Sequence, residues 1–269
     1  MTSRFALILA ALLPLLAACS QQETPTPGAA PVPALPVTQT PAPAPAEVAS
    51  EVAAAPVAPA PVATPAGPPL VPGVDYVEIA GGQPFEPLNG KVEVTEVFGY
   101  VCPACNALQP NLRAWKSRLP ADVRLTYVPA LFGPDWTPYA HAFYAAESLG
   151  LVEKTHEAVY NAIHAQDSLP GEGDKPTDEP IAAFYANYGV SAEQFRNTMK
   201  SFAVSGKINK AKQYAQRSKI ESTPTLIVNG KYRVQGRTYD DMFRIADALI
   251  AQERAVGTTP AAANPASTH

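Results

Sequence analysis

Between Val74 and Ala255 the apolar residues of this chain follow two rhythms, one of period two and one of three to four, and their order predicts the architecture. A short strand is expected at Tyr76 to Ile79 and a longer one at Lys91 to Tyr100, where Val92, Val94, Glu96 and Phe98 share a face. That face is apolar apart from Glu96, so its carboxylate is expected to be buried. Leu108, Leu112, Trp115 and Leu119 then form a helical stripe, which Pro110 should kink because proline removes a backbone donor. Val123 to Val128 reads as a strand, completing a strand, helix, strand unit.

A block of helices follows. Tyr139, Phe143 and Ala146 share a face, as do Val152, His156, Val159, Tyr160 and Ile163. Ser168 to Thr177 is rich in Pro and Gly and reads as a loop; Ile181, Phe184, Tyr185 and Tyr188 form another helix ending at Gly189. Ser191 to Gln194 is a capping box flanked by Val190 and Phe195 as a hydrophobic staple, so a new helix starts there with Phe195, Met199 and Phe202 on its apolar face. Ile208, Ala211, Tyr214 and Ala215 mark one more. Period two then returns in Thr225 to Val228 and Tyr232 to Gln235, joined at Asn229-Gly230 as a hairpin with a two-residue turn. Met242, Ile245, Ala246, Leu249 and Ile250 define a last helix capped by Thr238. The expected fold class is α/β, strands on both flanks enclosing helices.

Outside this region the pattern changes. Arg4 precedes an apolar run from Phe5 to Leu16, too short to span a bilayer and shaped like a secretory signal over residues 1–18. Its Leu-Ala-Ala-Cys ending resembles a bacterial lipobox, which implies lipidation at Cys19 and a membrane anchor; Ser20 leaves inner and outer membrane both open. From Glu23 to Pro72 the chain holds 15 of its 30 prolines and no Lys, Arg or aromatic residue. No core can form from that composition; as polyproline II the 50 residues reach roughly 150 Å, a tether over residues 19–72. The tail from 256 to 269 is small, polar and Pro-containing, and is expected to be disordered.

A formal net charge of −4 without a basic cluster offers nothing to nucleic acid. Beyond Cys19 only Cys102 and Cys105 occur, so the domain lacks a disulfide framework. The pair sits where strand gives way to helix, and a first cysteine at a helix N-terminus faces unpaired N–H groups that favour its thiolate. Such a pair closes into a disulfide and reopens. A zinc site is disfavoured, since no second cysteine pair exists and His156 and His164 are too far apart in sequence for finger spacing; Asn106 stands where haem attachment needs His. No metal or cofactor is expected. His141, His156 and His164 read as packed or surface residues.

Cys102-Pro103-Ala104-Cys105, Ser222-Thr223-Pro224-Thr225 and the long helical stretch between them resemble the thioredoxin superfamily, and within it the DsbA-like thiol:disulfide oxidoreductases. Cys102 and Pro224 stand 122 positions apart, whereas a minimal thioredoxin arrangement needs about 40–50 residues there. The resemblance implies a thioredoxin fold split as 73–136 and 219–255 around a helical insertion at 137–218. It implies that Cys102 is the exposed nucleophile, Cys105 its buried partner, and Thr223-Pro224 a cis-proline loop that binds extended peptide. It places a buried acid, Glu96, beneath the pair to exchange a proton with Cys105. Pro103 and Ala104 then tune the couple. Cys102 should titrate within about 3.5–7.5, a range in which DsbA itself is an end point and which is therefore borrowed from the family.

One departure stands out. Many DsbA-like enzymes carry His at the position of Ala104; without it the thiolate should be less stabilised and the couple less oxidising. The implied role is introduction of disulfides into reduced secreted proteins in the periplasm, by a lipid-anchored monomer recharged by a DsbB-type quinone-linked membrane partner. Two alternatives stay open: an isomerase or reductase of the same superfamily, although the Pro/Ala tether cannot supply the folded dimerisation domain of DsbC-like isomerases, and a non-catalytic lipoprotein module.

Overall fold

The computed structural model describes residues 67–258. The expected signal segment, Cys19, the tether up to residue 66 and the tail from residue 259 lie outside the described residues. In chain order the elements are β1 (Tyr76–Glu78), β2 (Val92–Phe98), α1 (Pro103–Lys116), β3 (Val123–Pro129), α2 (Thr137–Ser148), α3 (Val152–His164), α4 (Asp178–Tyr185), a 3-10 turn (Ala186–Tyr188), α5 (Ala192–Met199), α6 (Phe202–Arg217), β4 (Thr225–Val228), β5 (Tyr232–Val234) and α7 (Tyr239–Thr258). The strands form one sheet in the order β1-β5-β4-β2-β3, with β2 and β3 parallel and the other neighbours antiparallel. Helices α2 to α6 are inserted between β3 and β4, so the α/β architecture with a helical insertion is the one expected. Among the described residues no helix is long and apolar enough to cross a membrane.

Every residue of β2 is buried, and this central strand carries the site. Val92 and Val94 meet Leu108, Leu112 and Trp115 of α1 and Ile245 and Leu249 of α7. The Trp115 ring stacks on Phe243 at 5.2 Å and its Nε1 donates to Asp247 at 2.7 Å. Val97 and Phe98 belong to a second cluster that runs through Phe143, Tyr160, Tyr185 and Phe195 of the helical block. Further along β2 the register places Glu96 between Tyr127 of β3 and Leu226 of β4.

Most local signals act as their chemistry predicts. Gly189 takes φ +89° after the 3-10 turn, Ser191 Oγ accepts the Gln194 N–H at 3.1 Å, and Thr238 Oγ1 accepts the Asp241 N–H at 3.1 Å. Four expectations are corrected. Leu119, expected on the α1 stripe, lies beyond the helix, which runs through Pro110 and ends at Lys116. Phe202 is not on the apolar face of α5: Ser201 Oγ accepts the Val204 N–H at 3.3 Å and starts α6, which leaves Phe202 93% exposed on a new first turn. The hairpin is not a plain two-residue connection. Asn229 and Gly230 do have positive φ and Lys231 N–H does bond Val228 C=O at 2.9 Å, but Val228 pairs with Tyr232, because the Lys231 carbonyl is taken by Ile79 N–H at 2.7 Å. Finally, α7 runs to Thr258, past the expected start of the tail, and Leu70, read as tether, is partly buried against the α1 and α7 cluster.

Candidate active site

Strand β2 delivers the chain to the redox motif through Gly99, where a Cβ would lie 2.0 Å from the Trp136 ring; only glycine fits beneath that indole. The Gly99 carbonyl accepts the Cys102 N–H at 3.1 Å, which sets the turn into α1. Cys102 is the N-cap of α1, with φ −76° and ψ 116°, and Pro103 follows in the first turn, where its missing N–H costs nothing. The cap is a sulfur: Cys102 Sγ accepts the Cys105 N–H at 3.2 Å. Thr223 Oγ1 donates to the same sulfur at 3.3 Å, and the Thr223 carbonyl lies 3.7 Å from it, within reach of the thiol proton. The Thr223–Pro224 peptide is cis. Chain positions more than a hundred residues apart thus meet at one sulfur.

Both thiols are free. Cys102, expected to be the exposed sulfur, is 6% accessible and Cys105 is 0%, so the two differ in degree, because the Thr223 loop covers Cys102. Their electrostatics differ far more. The Cys105 thiol as donor, the Thr223 hydroxyl, and the N–H groups of Cys105 and Ala104 hold Cys102 down to about 6, against the opposing pull of desolvation. Burial, and then the competing Cys102 sulfur, push the Cys105 thiol far up. The first sulfur is therefore a thiolate at neutral pH and the second a protonated thiol.

Glu96 lies on the same stretch of β2, fully buried, and neither carboxylate oxygen has a hydrogen-bond partner. Burial pushes it up to about 8, with a further push from the Cys102 charge. Tyr127, Tyr100 and Tyr160 surround it and are themselves shifted up by burial. His156 packs beside Tyr127 at 4.3 Å, takes or gives a hydrogen bond with the Tyr100 hydroxyl at 3.0 Å, and is driven down to about 3 by burial. His164 Nε2 bonds the Tyr100 carbonyl at 2.7 Å and His141 Nδ1 the Met199 carbonyl at 3.1 Å. Among the described residues no cluster of three or more His, Cys, Asp and Glu side chains converges as a metal site would require.

Residues 93–249 match the DSBA-like thioredoxin domain family. The chain belongs to the DsbA-like thioredoxin family. It is 39% identical over 186 residues to the thiol:disulfide interchange protein DsbA of Pseudomonas aeruginosa, covering 68% of this chain and 85% of that protein, and 37% identical over 191 residues to that of Pseudomonas syringae pv. tomato, covering 70% and 86%. Among solved structures, the oxidoreductase DsbA of Xylella fastidiosa superposes with a TM-score of 0.66 at 44% identity, covering 70% of this chain and 98% of that one. This DsbA-like chain is accordingly a thiol:disulfide oxidoreductase, an enzyme.

In this DsbA-like enzyme the contact of the loop threonine with Cys102 should have a measurable effect. Thr223→Val removes the hydroxyl donor to Cys102 and keeps the shape; a hydrogen bond to a charged group contributes about 1.5–3 kcal/mol, so the Cys102 midpoint should rise from about 6 by about one to two units. Thiolate ultraviolet absorbance against pH measures it, and an unmoved midpoint refutes the role. Two contacts had no sequence signal. Trp136 is placed over Gly99 by the start of α2, and the Tyr239 hydroxyl donates to the Ala104 carbonyl at 3.0 Å across 135 positions of chain.

Proposed function

We propose that this enzyme is a disulfide-introducing oxidase of the bacterial envelope, acting through Cys102 and Cys105. The observation that carries the reading is the asymmetry of the pair: one sulfur that receives donors and stays ionised, and one that is buried and keeps its proton. In the closed form a client thiolate attacks Cys102 Sγ; the Cys102–Cys105 bond breaks and a client–Cys102 bond forms. Cys105 leaves as a thiolate that its surroundings disfavour, and Glu96, protonated at neutral pH, is the acid that supplies its proton. A second client thiolate then attacks the client sulfur of the mixed disulfide, and Cys102 departs as a stable thiolate. The client loses two electrons and gains a disulfide; the enzyme holds both electrons as the dithiol.

Extended client chain would pair with the backbone at Thr223-Pro224, while Pro103 and Ala104 fix the turn between the sulfurs. The rest of the reading comes from sequence and kinship: a periplasmic location, lipidation at Cys19, a Pro/Ala tether that keeps a monomeric domain at a distance from the inner or outer membrane, and a DsbB-type quinone-linked reoxidant. The split of the domain at 73–136, 137–218 and 219–255 belongs to the same reading.

The equilibrium of the protein with mixtures of reduced and oxidised glutathione tests the direction of flow. The couple should be clearly more oxidising than thioredoxin, whose potential is about −270 mV. A potential at or below that value makes the protein a reductase. Efficient rescue of scrambled disulfides with weak oxidation of reduced client makes it an isomerase.

A further inference from the structure

Ala104 leaves the redox turn without a side chain able to reach either sulfur, yet the turn is gripped from outside. Tyr239, the first residue of α7, places its hydroxyl 3.0 Å from the Ala104 carbonyl oxygen. Its position is well defined. Thr238 caps the helix through its side chain to Asp241 N–H at 3.1 Å, and the Thr238 carbonyl accepts Met242 N–H at 2.9 Å. The Tyr239 ring packs against the cluster shared by α1 and α7. The phenol is the donor in this contact, since a carbonyl oxygen can only accept.

The Ala104 carbonyl and the Cys105 N–H are the two ends of one peptide unit, and that N–H donates to Cys102 Sγ at 3.2 Å. The connected path runs from the Tyr239 hydroxyl to the Ala104 oxygen, through the peptide, and from the Cys105 nitrogen to the Cys102 sulfur. A hydrogen bond accepted at a carbonyl draws electron density toward oxygen and makes the N–H of the same peptide a stronger donor, so successive bonds polarise one another. We propose that Tyr239 is a positioning residue of the redox site, strengthening the Cys105 N–H bond to the Cys102 sulfur through the Ala104–Cys105 peptide.

The strengthening is selective. A thiolate accepts that bond far better than a sulfur held in a disulfide, so Tyr239 favours the dithiol form and makes the disulfide a stronger oxidant. It restores part of the thiolate stabilisation that a polar residue at position 104 would give. The groups around the two ends of the path are Cys105, Glu96 and Thr223 at the sulfur, and Asp240, Asp241, Arg237 and Arg244 at the start of α7. Asp241 is held by Arg244 and the Arg237 N–H, and Asp240 accepts from Asn111 at 3.2 Å, so both carboxylates are engaged with their own partners.

The inference rests on the reading of Cys102 as the reactive thiolate, and the test separates the two. In the full chain, Tyr239→Phe keeps the ring and removes the donor. With cooperative strengthening of about 10–30% on one charge-assisted bond, the Cys102 midpoint should rise by about 0.3 unit and the glutathione equilibrium should shift about twofold toward retention of the disulfide. A ring-fluorinated tyrosine at position 239, a stronger donor of the same shape, should move both quantities the opposite way. If Tyr239→Phe changes neither quantity, or if both substitutions move them in the same direction, Tyr239 is only a packing residue of α7. If the unaltered protein itself shows no Cys102 titration near neutrality and no exchange with glutathione, the functional reading fails and this inference falls with it.

Discussion

Cys102→Ser should leave no oxidation of a reduced client protein above the background of the buffer thiols. In the proposed cycle every step passes through this sulfur: it is attacked, it carries the client, and it departs, and an oxygen in its place can neither hold the disulfide nor leave as a stable anion at neutral pH. Cys105→Ser fails differently. The Cys102 thiolate can still attack a disulfide of an oxidised client, releasing one client thiolate, and with no neighbouring thiol to reclaim it the resulting mixed disulfide should accumulate, as non-reducing gels would show. Because serine nearly matches cysteine in volume at these closely packed positions, the thermal midpoint should move far less than the activity. Unaltered function in Cys102→Ser would instead support a non-catalytic module. The Cys102 thiolate also makes the dithiol form pH-sensitive. With a folded value of about 6 below the ordinary 9.0, its stabilisation is complete above the ordinary value and is lost as pH falls through about 6. The stability advantage of the reduced enzyme over its Cys102→Ser variant should therefore shrink in acid, as urea titrations at several pH values would measure.

The sequence was most informative where chemistry is local. A cysteine before a proline-led helix, a Ser-x-x-Gln cap and a β2 face apolar except for one glutamate each fix a conformation within a few residues, and the structure carries all three. Phe202 misled because helical periodicity does not register a stop: a Ser cap at 201 ends one helix and begins another, and the same phenylalanine changes from third turn to first. The Asn229-Gly230 turn misled for a tertiary reason, since β1 claims the Lys231 carbonyl and shifts the register by one. Contacts that depend on how α7 meets α1, Tyr239 on Ala104 above all, have no trace in either local sequence. The Thr223 contact with Cys102 was reachable only through family resemblance, because nothing in either segment alone says that they meet.

Glu96→Leu should stabilise this enzyme at neutral pH, whereas Glu93→Leu, three positions earlier on the same strand, should destabilise it. An odd separation along a strand sends the two side chains to opposite faces of the sheet, and both are fully buried. Glu93 is satisfied: it accepts from Phe85 N–H at 2.6 Å and Thr126 Oγ1 at 2.8 Å and pairs with Arg124 at 2.9 Å. Removing it strips three donors, the Phe85 and Glu86 N–H groups and the Thr126 hydroxyl, and a guanidinium of their partner, a loss of about 3–5 kcal/mol. Glu96 has no partner at either oxygen, and folding carries it from 4.5 to about 8. A carboxyl raised on folding favours the native state only while it is protonated in both states. From about pH 4.5 upward the unfolded chain ionises first, and stability declines until the folded value is passed. At pH 7 the deficit is about 3 kcal/mol, which leucine at the same volume should return. The gain should vanish near pH 4.5, grow to its full size near pH 8, and be larger in the dithiol form, where the Cys102 charge adds to the strain on Glu96. On the proposed mechanism the stabilised variant should also exchange more slowly, because it lacks the acid assigned to protonate Cys105, a cost in stability kept for activity. Urea titration of both forms across this pH range decides the matter: a Glu96→Leu protein that is less stable than the parent at pH 7 would mean that the carboxyl is not desolvated, and its part in protonating Cys105 would lose its physical basis.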